Sequence, residues 1–140
     1  FTGESNILSA NIVQDCGNSL NENIDIGQIE GGFIQGLGWL TCEELCFSKE
    51  GKLLTTGPST YKLPGSRDIP QTFNVKLLEK ADNEEKTIFR SKAVGEPPLL
   101  LAISHFLALK EAIRASSTNS RPELLNSPAT PSEILKVLKV

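Results

Sequence analysis

Apolar residues recur along the chain in two rhythms, one suited to a strand and one to a helix. Between Asn6 and Asp15 a loose alternation gathers Ile7, Leu8, Ile12 and Val13, which predicts a strand. A turn at Cys16–Ser19 follows. From Asp25 onward, Ile29, Phe33, Leu37 and Leu40 stand 4, 4 and 3 residues apart, and this spacing predicts a helix within residues 28–43. Residues 44–48 and 52–56 flank Lys49-Glu50-Gly51 as a hairpin. Gly57-Pro58 and Leu63-Pro64-Gly65 mark a long loop. Phe73, Val75 and Leu77 then alternate with polar neighbours, a half-buried strand within residues 71–79.

Ile88–Val94 reads as a short strand or an extended approach to the clearest helix start in the chain. Pro97 and Pro98 suit a first turn, where a missing N–H costs least. A helix over residues 97–115 is expected, with Leu99, Ile103, Phe106 and Ile113 on its inner face and Lys110, Glu111 and Arg114 on the wetter side. Ala115–Asn126 is rich in Ser and Asn and reads as a surface loop. Ser132–Leu138 makes a short closing helix capped by Ser132 or Thr130. Together these predict an α+β fold, two helices packed on one face of a small mixed β-sheet that includes residues 7–14 and 72–79. Residues 1–140 form one segment of a domain, with 116–140 as surface loop and closing helix.

Of the 140 residues, 39% are hydrophobic and 22% charged, as in one ordinary globular domain. A net charge of −3 with scattered Lys and Arg gives no electrostatic footprint for nucleic acid. The longest apolar run, Leu99–Ile103, is far short of the ~20 residues of a membrane span. No secretory signal opens the chain, so the expected compartment is the cytoplasm. The chain has no Met, which suggests a piece of something longer. Three cysteines argue against a disulfide framework. Cys42 and Cys46 have the spacing of one helix face. Without a His or further Cys nearby they fall short of a zinc site and read as reduced, partly buried thiols.

Two stretches depart from what packing alone asks for. Gly27, Gly31, Gly32, Gly36 and Gly38 sit inside the helical apolar pattern, where each costs ~1 kcal/mol relative to Ala. Either small residues four apart let another element touch the helix, or a cofactor lies against its start, facing the N–H groups and the Gln28 amide. The spacing is neither Walker nor Rossmann. The second stretch, Ser91–Leu99, places Glu96 immediately before the later helix. An acid there caps the helix and meets its dipole, or it is a general base beside a cleft.

Cys16–Asn21 (CGNSLN) followed by Ile24–Gly32 (IDIGQIEGG) resembles a signature of the xanthine dehydrogenase and aldehyde oxidase family. Gly57–Pro64 (GPSTYKLP), Arg90–Leu99 (RSKAVGEPPL) and Ser127–Pro131 (SPATP) resemble three further blocks, in the family's order. The wording at Gly38–Thr41 and Lys92–Glu96 is most similar to the molybdopterin-binding subunit of bacterial xanthine dehydrogenases. Aldehyde oxidases more often show Lys-Gly-Leu-Gly-Glu in the latter place. Glu22 departs from the pattern, which often has Pro there.

The resemblance implies a molybdenum–molybdopterin cofactor here, and 2Fe-2S clusters and FAD on other segments or subunits. It implies that Glu96 is the catalytic base, taking the proton of a molybdenum-bound hydroxyl. That oxygen attacks an electron-poor purine carbon while hydride moves to a sulfido ligand. Gln28, Gly27 and Gly95 would contact the cofactor, and Lys92–Gly95 would shape the approach. The implied activity oxidises hypoxanthine and xanthine to urate. The implied partners are the purine, the remainder of the molybdopterin-binding chain and the iron–sulfur and FAD parts, within an oligomer; neither nucleic acid nor membrane is among them. Substrate-facing residues that the family carries further upstream are not in this chain, so the isolated piece is expected to be inactive. An aldehyde oxidase, or a non-catalytic cofactor-binding or assembly module, are the alternatives. His105 and Trp39 read as structural, and Tyr61 and Lys62 as braces of the long loop.

Overall fold

Asn21 starts the long helix. Its backbone is extended (φ −157°, ψ 102°), its side-chain oxygen accepts from the Ile24 N–H at 3.2 Å, and Glu22 and Asp25 place negative charge in the first turn. This helix, α1, spans Glu22–Thr41 and closes with the Cys42 and Glu43 N–H groups donating to the Gly38 carbonyl. It therefore begins well before residue 28, at a cap signal (Asn21, then two acids) that apolar spacing does not register. The computed structural model describes residues 2–138. Ile29, Phe33 and Leu37 are buried as their spacing predicts, each worth roughly 1.5–3 kcal/mol.

Strand β1 (Ser9–Gln14) precedes α1, and β2 (Thr72–Leu77) follows the loop after it. The two pair in parallel, from Ser9 opposite Thr72 to Gln14 opposite Leu77. Parallel neighbours need a crossover, and α1 with the 42–71 loop supplies it. The α+β arrangement is thus present. Among the described residues, antiparallel pairing is confined to isolated bridges at Gly17–Ser91 and Phe47–Leu53. The latter is the expected hairpin, reduced to a minimal form. Ala10, Ile12, Phe73, Val75 and Leu77 meet the buried face of α1, where the Phe33 and Phe73 rings lie 5.5 Å apart.

The helix expected over 97–115 is broken at Ala102 into α2 (Pro97–Leu101) and α3 (Ile103–Ser116). The Leu99 N–H donates to the Glu96 carbonyl and the Ala102 N–H to that of Leu99, tight three-residue bonds that end the first piece early. The break turns a different face inward. Pro98, Ala102, Leu109 and Ile113 are buried, Leu99 and Phe106 are half-buried, and Ile103 is 50% exposed. Ala102, at the break between α2 and α3, joins the core under the sheet. A groove of about 820 Å³ runs between β1 and α3, so α1 alone covers the strands directly.

Ile88–Arg90 is a 3₁₀ turn rather than a strand, and the chain extends only from Ser91. The loop expected at the surface after Ala115 also turns inward. Pro122–Leu124 forms another 3₁₀ turn, and Pro122 and Leu125 are buried. Leu125 fills the space between α3 and the closing helix α4 (Pro131–Leu138), in a second cluster with Leu109, Ile113, Ala129, Ile134 and Val137. Thr130 caps α4, accepting from the Glu133 N–H at 3.4 Å. Because α1 ends at Thr41, Cys42 and Cys46 share no helix face; both are free and half-buried. Trp39 lies 52% exposed, outside the core. Among the described residues, no helix is long and apolar enough to cross a membrane.

Candidate functional site

The glycines of α1 divide into two groups with different neighbours. A Cβ at Gly32 would stand 3.0 Å from the Gly95 carbonyl oxygen and 3.2 Å from Pro98. One at Gly36 would overlap the Leu99 carbonyl and approach Ala102 to 2.9 Å. Gly38 meets Pro64 and the Glu43 side chain in the same way. Gly32 and Gly36 let backbone lie directly on the helix, and Gly38 makes room for the Pro64 and Glu43 side chains. Gly27 and Gly31 have nothing within 4 Å of a Cβ, and close packing accounts for neither.

The contact along Gly32 and Gly36 fixes where the predicted site residues sit. Gly95–Ala102 runs beside α1 in the direction of the helix, with Gly95 at Gly32 and Ala102 at Gly36. Gln28 lies one turn before Gly32 on the same row, at the end where α2 begins. Gln28, with Gly27 beside it inside α1, therefore lies near Gly95 and Glu96 at the start of α2. All four are exposed. Because α1 starts at Glu22, the N–H groups of Gly27 and Gln28 are already inside the helical ladder. The Gln28 side-chain amide is exposed beside them.

Glu96 occupies the N-cap of α2 (φ −86°, ψ −36°) yet makes no side-chain capping bond. Among the described residues its carboxylate joins no ion pair. The capping role thus has no bond to support it, and the acid is left facing outward. Its backbone is held from two sides. On one side, Gly95 lies on Gly32. On the other, the Lys92 N–H donates to the Cys16 carbonyl at 2.8 Å and the Asn18 N–H to the Arg90 carbonyl at 3.1 Å. The Lys92 ammonium meets Asp15 at 2.5 Å. Asp15 also accepts from the Gly17 N–H at 2.9 Å. The Lys92 ammonium, and then that N–H, hold its carboxyl below the usual range.

Sequence reading missed Asp15 and Gly17 as parts of this arrangement. Gly17 (φ +65°) has no room for a Cβ, which would overlap the Arg90 carbonyl, so this turn residue is glycine for contact as well as conformation. Asp15 carries no such signal, since its partner lies 77 residues away. Phe89 and Arg90 also take positive φ, 51° and 60°, turning the chain into the Ser91–Glu96 approach. Burial pushes the Cys16 thiol up in pKa and keeps it protonated. At the far end of α1, the Tyr61 hydroxyl donates to Glu43 at 2.5 Å, and the Ala129 N–H donates to the Leu40 carbonyl at 2.7 Å. The four blocks named above are thus spread along one helix, two at each end. Lys62 is exposed in the loop beside Tyr61. His105 is half-buried, facing the groove, and burial lowers its pKa.

The residues gathered at the leading end offer one carboxamide, one carboxylate and glycine backbone with open space. Such a set suits hydrogen bonding to a group that carries its own metal ligands, and in this respect the chain fits a molybdopterin cofactor.

Comparison with known proteins identifies that group. Residues 1–70 match the family model described as a molybdopterin cofactor-binding domain. The chain is 53% identical to the xanthine dehydrogenase/oxidase of Felis catus over 140 residues, covering 96% of this chain and 10% of that one. It is 50% identical to xanthine dehydrogenase 2 of Arabidopsis thaliana over 146 residues, covering 96% of this chain and 11% of the other. Among solved structures, quinoline 2-oxidoreductase of Pseudomonas putida 86 is similar with a TM-score of 0.76 at 27% identity, over 91% of this chain and 15% of that one. The copper–molybdenum CO dehydrogenase shares the fold, with a TM-score of 0.79 at 20% identity over 99% of this chain and 17% of that one. The chain spans about a tenth of the length of its curated relatives. With half its length matching the cofactor-binding model and nearly all of it about half identical to xanthine dehydrogenases, it belongs to the molybdopterin-dependent xanthine dehydrogenase family.

Proposed function

We propose that this chain is the C-terminal segment of the molybdopterin-binding domain of a cytoplasmic purine hydroxylase, and that Glu96 is the general base for the oxygen nucleophile. The observation that carries this reading is the carboxylate itself, placed at a helix start without a capping bond. When bound, molybdenum–molybdopterin supplies the two-electron oxidation and the Lewis acidity that makes a water-derived oxygen easy to deprotonate. Glu96 would accept a proton at a side-chain oxygen from the nucleophile that the bound group supplies, beside an electron-poor purine carbon. Gln28 donates and accepts hydrogen bonds at the cofactor without adding charge. Gly27 leaves the helix surface open for its approach, and Gly95 keeps the backbone before the base free of a side chain. Hypoxanthine and xanthine are the assigned substrates. The rest of the molybdopterin-binding chain, with 2Fe-2S and FAD parts elsewhere in an oligomer, completes the assembly.

Glu96→Gln in the full-length enzyme tests the role. It keeps size and most hydrogen bonding but removes the base, so single-turnover reduction by xanthine, normalised to molybdenum, should slow by ~10²–10⁴-fold. Melting temperature should stay near that of the unaltered enzyme, because no capping bond is lost. A reduction rate close to the unaltered enzyme ends the assignment. Hypoxanthine turnover no better than background, beside ready aldehyde turnover, moves the substrate class to aldehydes.

A further inference from the structure

The segment that delivers Glu96 is a short strap fastened at both ends, and its first fastening includes a charge pair with no place in the chemistry above. Ser91 bridges Gly17, the Lys92 N–H donates to Cys16, and the Lys92 ammonium reaches Asp15, the residue that directly follows β1. At the other end Gly95 rests on Gly32. Only Ala93 and Val94 lie between, and Val94 packs against the core under the sheet. The strap enters through Phe89 and Arg90, both at positive φ. Two successive non-glycine residues in that region are strained and persist only where surrounding bonds hold them.

We propose that Asp15 and Lys92 are positioning residues, which clamp this strap to the end of β1 and so set where the Glu96 carboxylate stands. The proposal rests on the reading of Glu96 as the base. The pair's side chains are 32% and 38% exposed, and ion pairs that open to water contribute little to global stability. Its consequence is local. Backbone bonds fix the strap at Ser91 and Lys92, and the charge pair holds those bonds in register against a turn that relaxation would open. The Lys92 ammonium is occupied by Asp15, so it acts on the reaction through the backbone it anchors.

The test uses the full-length enzyme and has a readout that does not depend on turnover. Lys92→Met keeps the side chain's length and removes its charge, Asp15→Asn removes the partner, and Lys92→Arg restores the pair. Hydrogen exchange of the 90–96 amides should quicken in the first two variants and return toward normal in the third. Reduction by xanthine per molybdenum should fall by roughly 10- to 100-fold, as expected for a displaced catalytic group, with KM and melting temperature nearly unchanged. Normal exchange and normal reduction in both Lys92→Met and Asp15→Asn overturn the proposal. So does a loss of rate matched by an equal loss of molybdenum or of folded protein, which marks a purely structural pair. Glu96→Gln run alongside separates the two ideas. If it reduces normally, the base assignment fails, while the exchange result still decides whether the strap is clamped.

Discussion

Glu96 and Lys92 stand one helical turn's worth of sequence apart and use their charges in opposite ways. Lys92 spends its ammonium on Asp15 inside the chain, and Glu96 makes no side-chain bond at its cap. His105 is a third kind of titratable residue, uncharged by preference. It lies half-buried along the groove beside β1, and burial alone lowers its pKa. The folded chain thus refuses a proton that the unfolded chain accepts from about pH 6.5 downward. The stability that this provides is fully present above the unfolded pKa and is lost as pH falls through the folded one. The denaturation midpoint should therefore drop as pH falls below the unfolded pKa of about 6.5, and His105→Gln should flatten that part of the drop. An unchanged slope in the variant would mean that other groups carry it.

Helix α1 holds both ends of the molecule together through its glycines. Gly36→Ala would force a Cβ into the Leu99 carbonyl and against Ala102, where backbone cannot yield. We expect a loss of ~1–3 kcal/mol, typical of overpacking, seen as a lower unfolding midpoint. Gly27→Ala meets open space in a regular helix, so helix propensity alone should raise stability by up to ~1 kcal/mol. If the cofactor approaches there, molybdenum content should fall in the full enzyme even as the midpoint rises. Opposite signs at two glycines of one helix distinguish packing from ligand access, which a uniform penalty at both would contradict.

At the scale of the molecule, the two parallel strands and four helices of the described residues leave much apolar surface uncovered. Leu8, Val13, Ile88, Phe89 and Leu107 are among the exposed large side chains, and a two-stranded sheet is marginal by itself. The curated relatives are about ten times longer than the matched region. Metal analysis of the purified 140-residue chain should accordingly find molybdenum well below one per chain. Stoichiometric metal with bound pterin would show instead that the pocket is complete within these residues.

Local signals determined much of this protein. Burial of Ile29, Phe33 and Leu37, the strands at residues 9–14 and 72–77, and the cap at Thr130 follow from period and propensity, which act over a few residues. The blocks around Gln28 and Glu96 carried the family in the same way. Tertiary structure decided what depends on partners far away in sequence. Apolar spacing showed that the glycines were unusual, but only the approach of Gly95–Ala102 separates Gly32 and Gly36 from Gly27 and Gly31. The break at Ala102, the inward turn of Leu125 and the Asp15–Lys92 pair arise from packing between distant segments. The free carboxylate of Glu96 belongs with them, because whether an acid at a helix start caps or stays unbonded depends on how the strap before it is held.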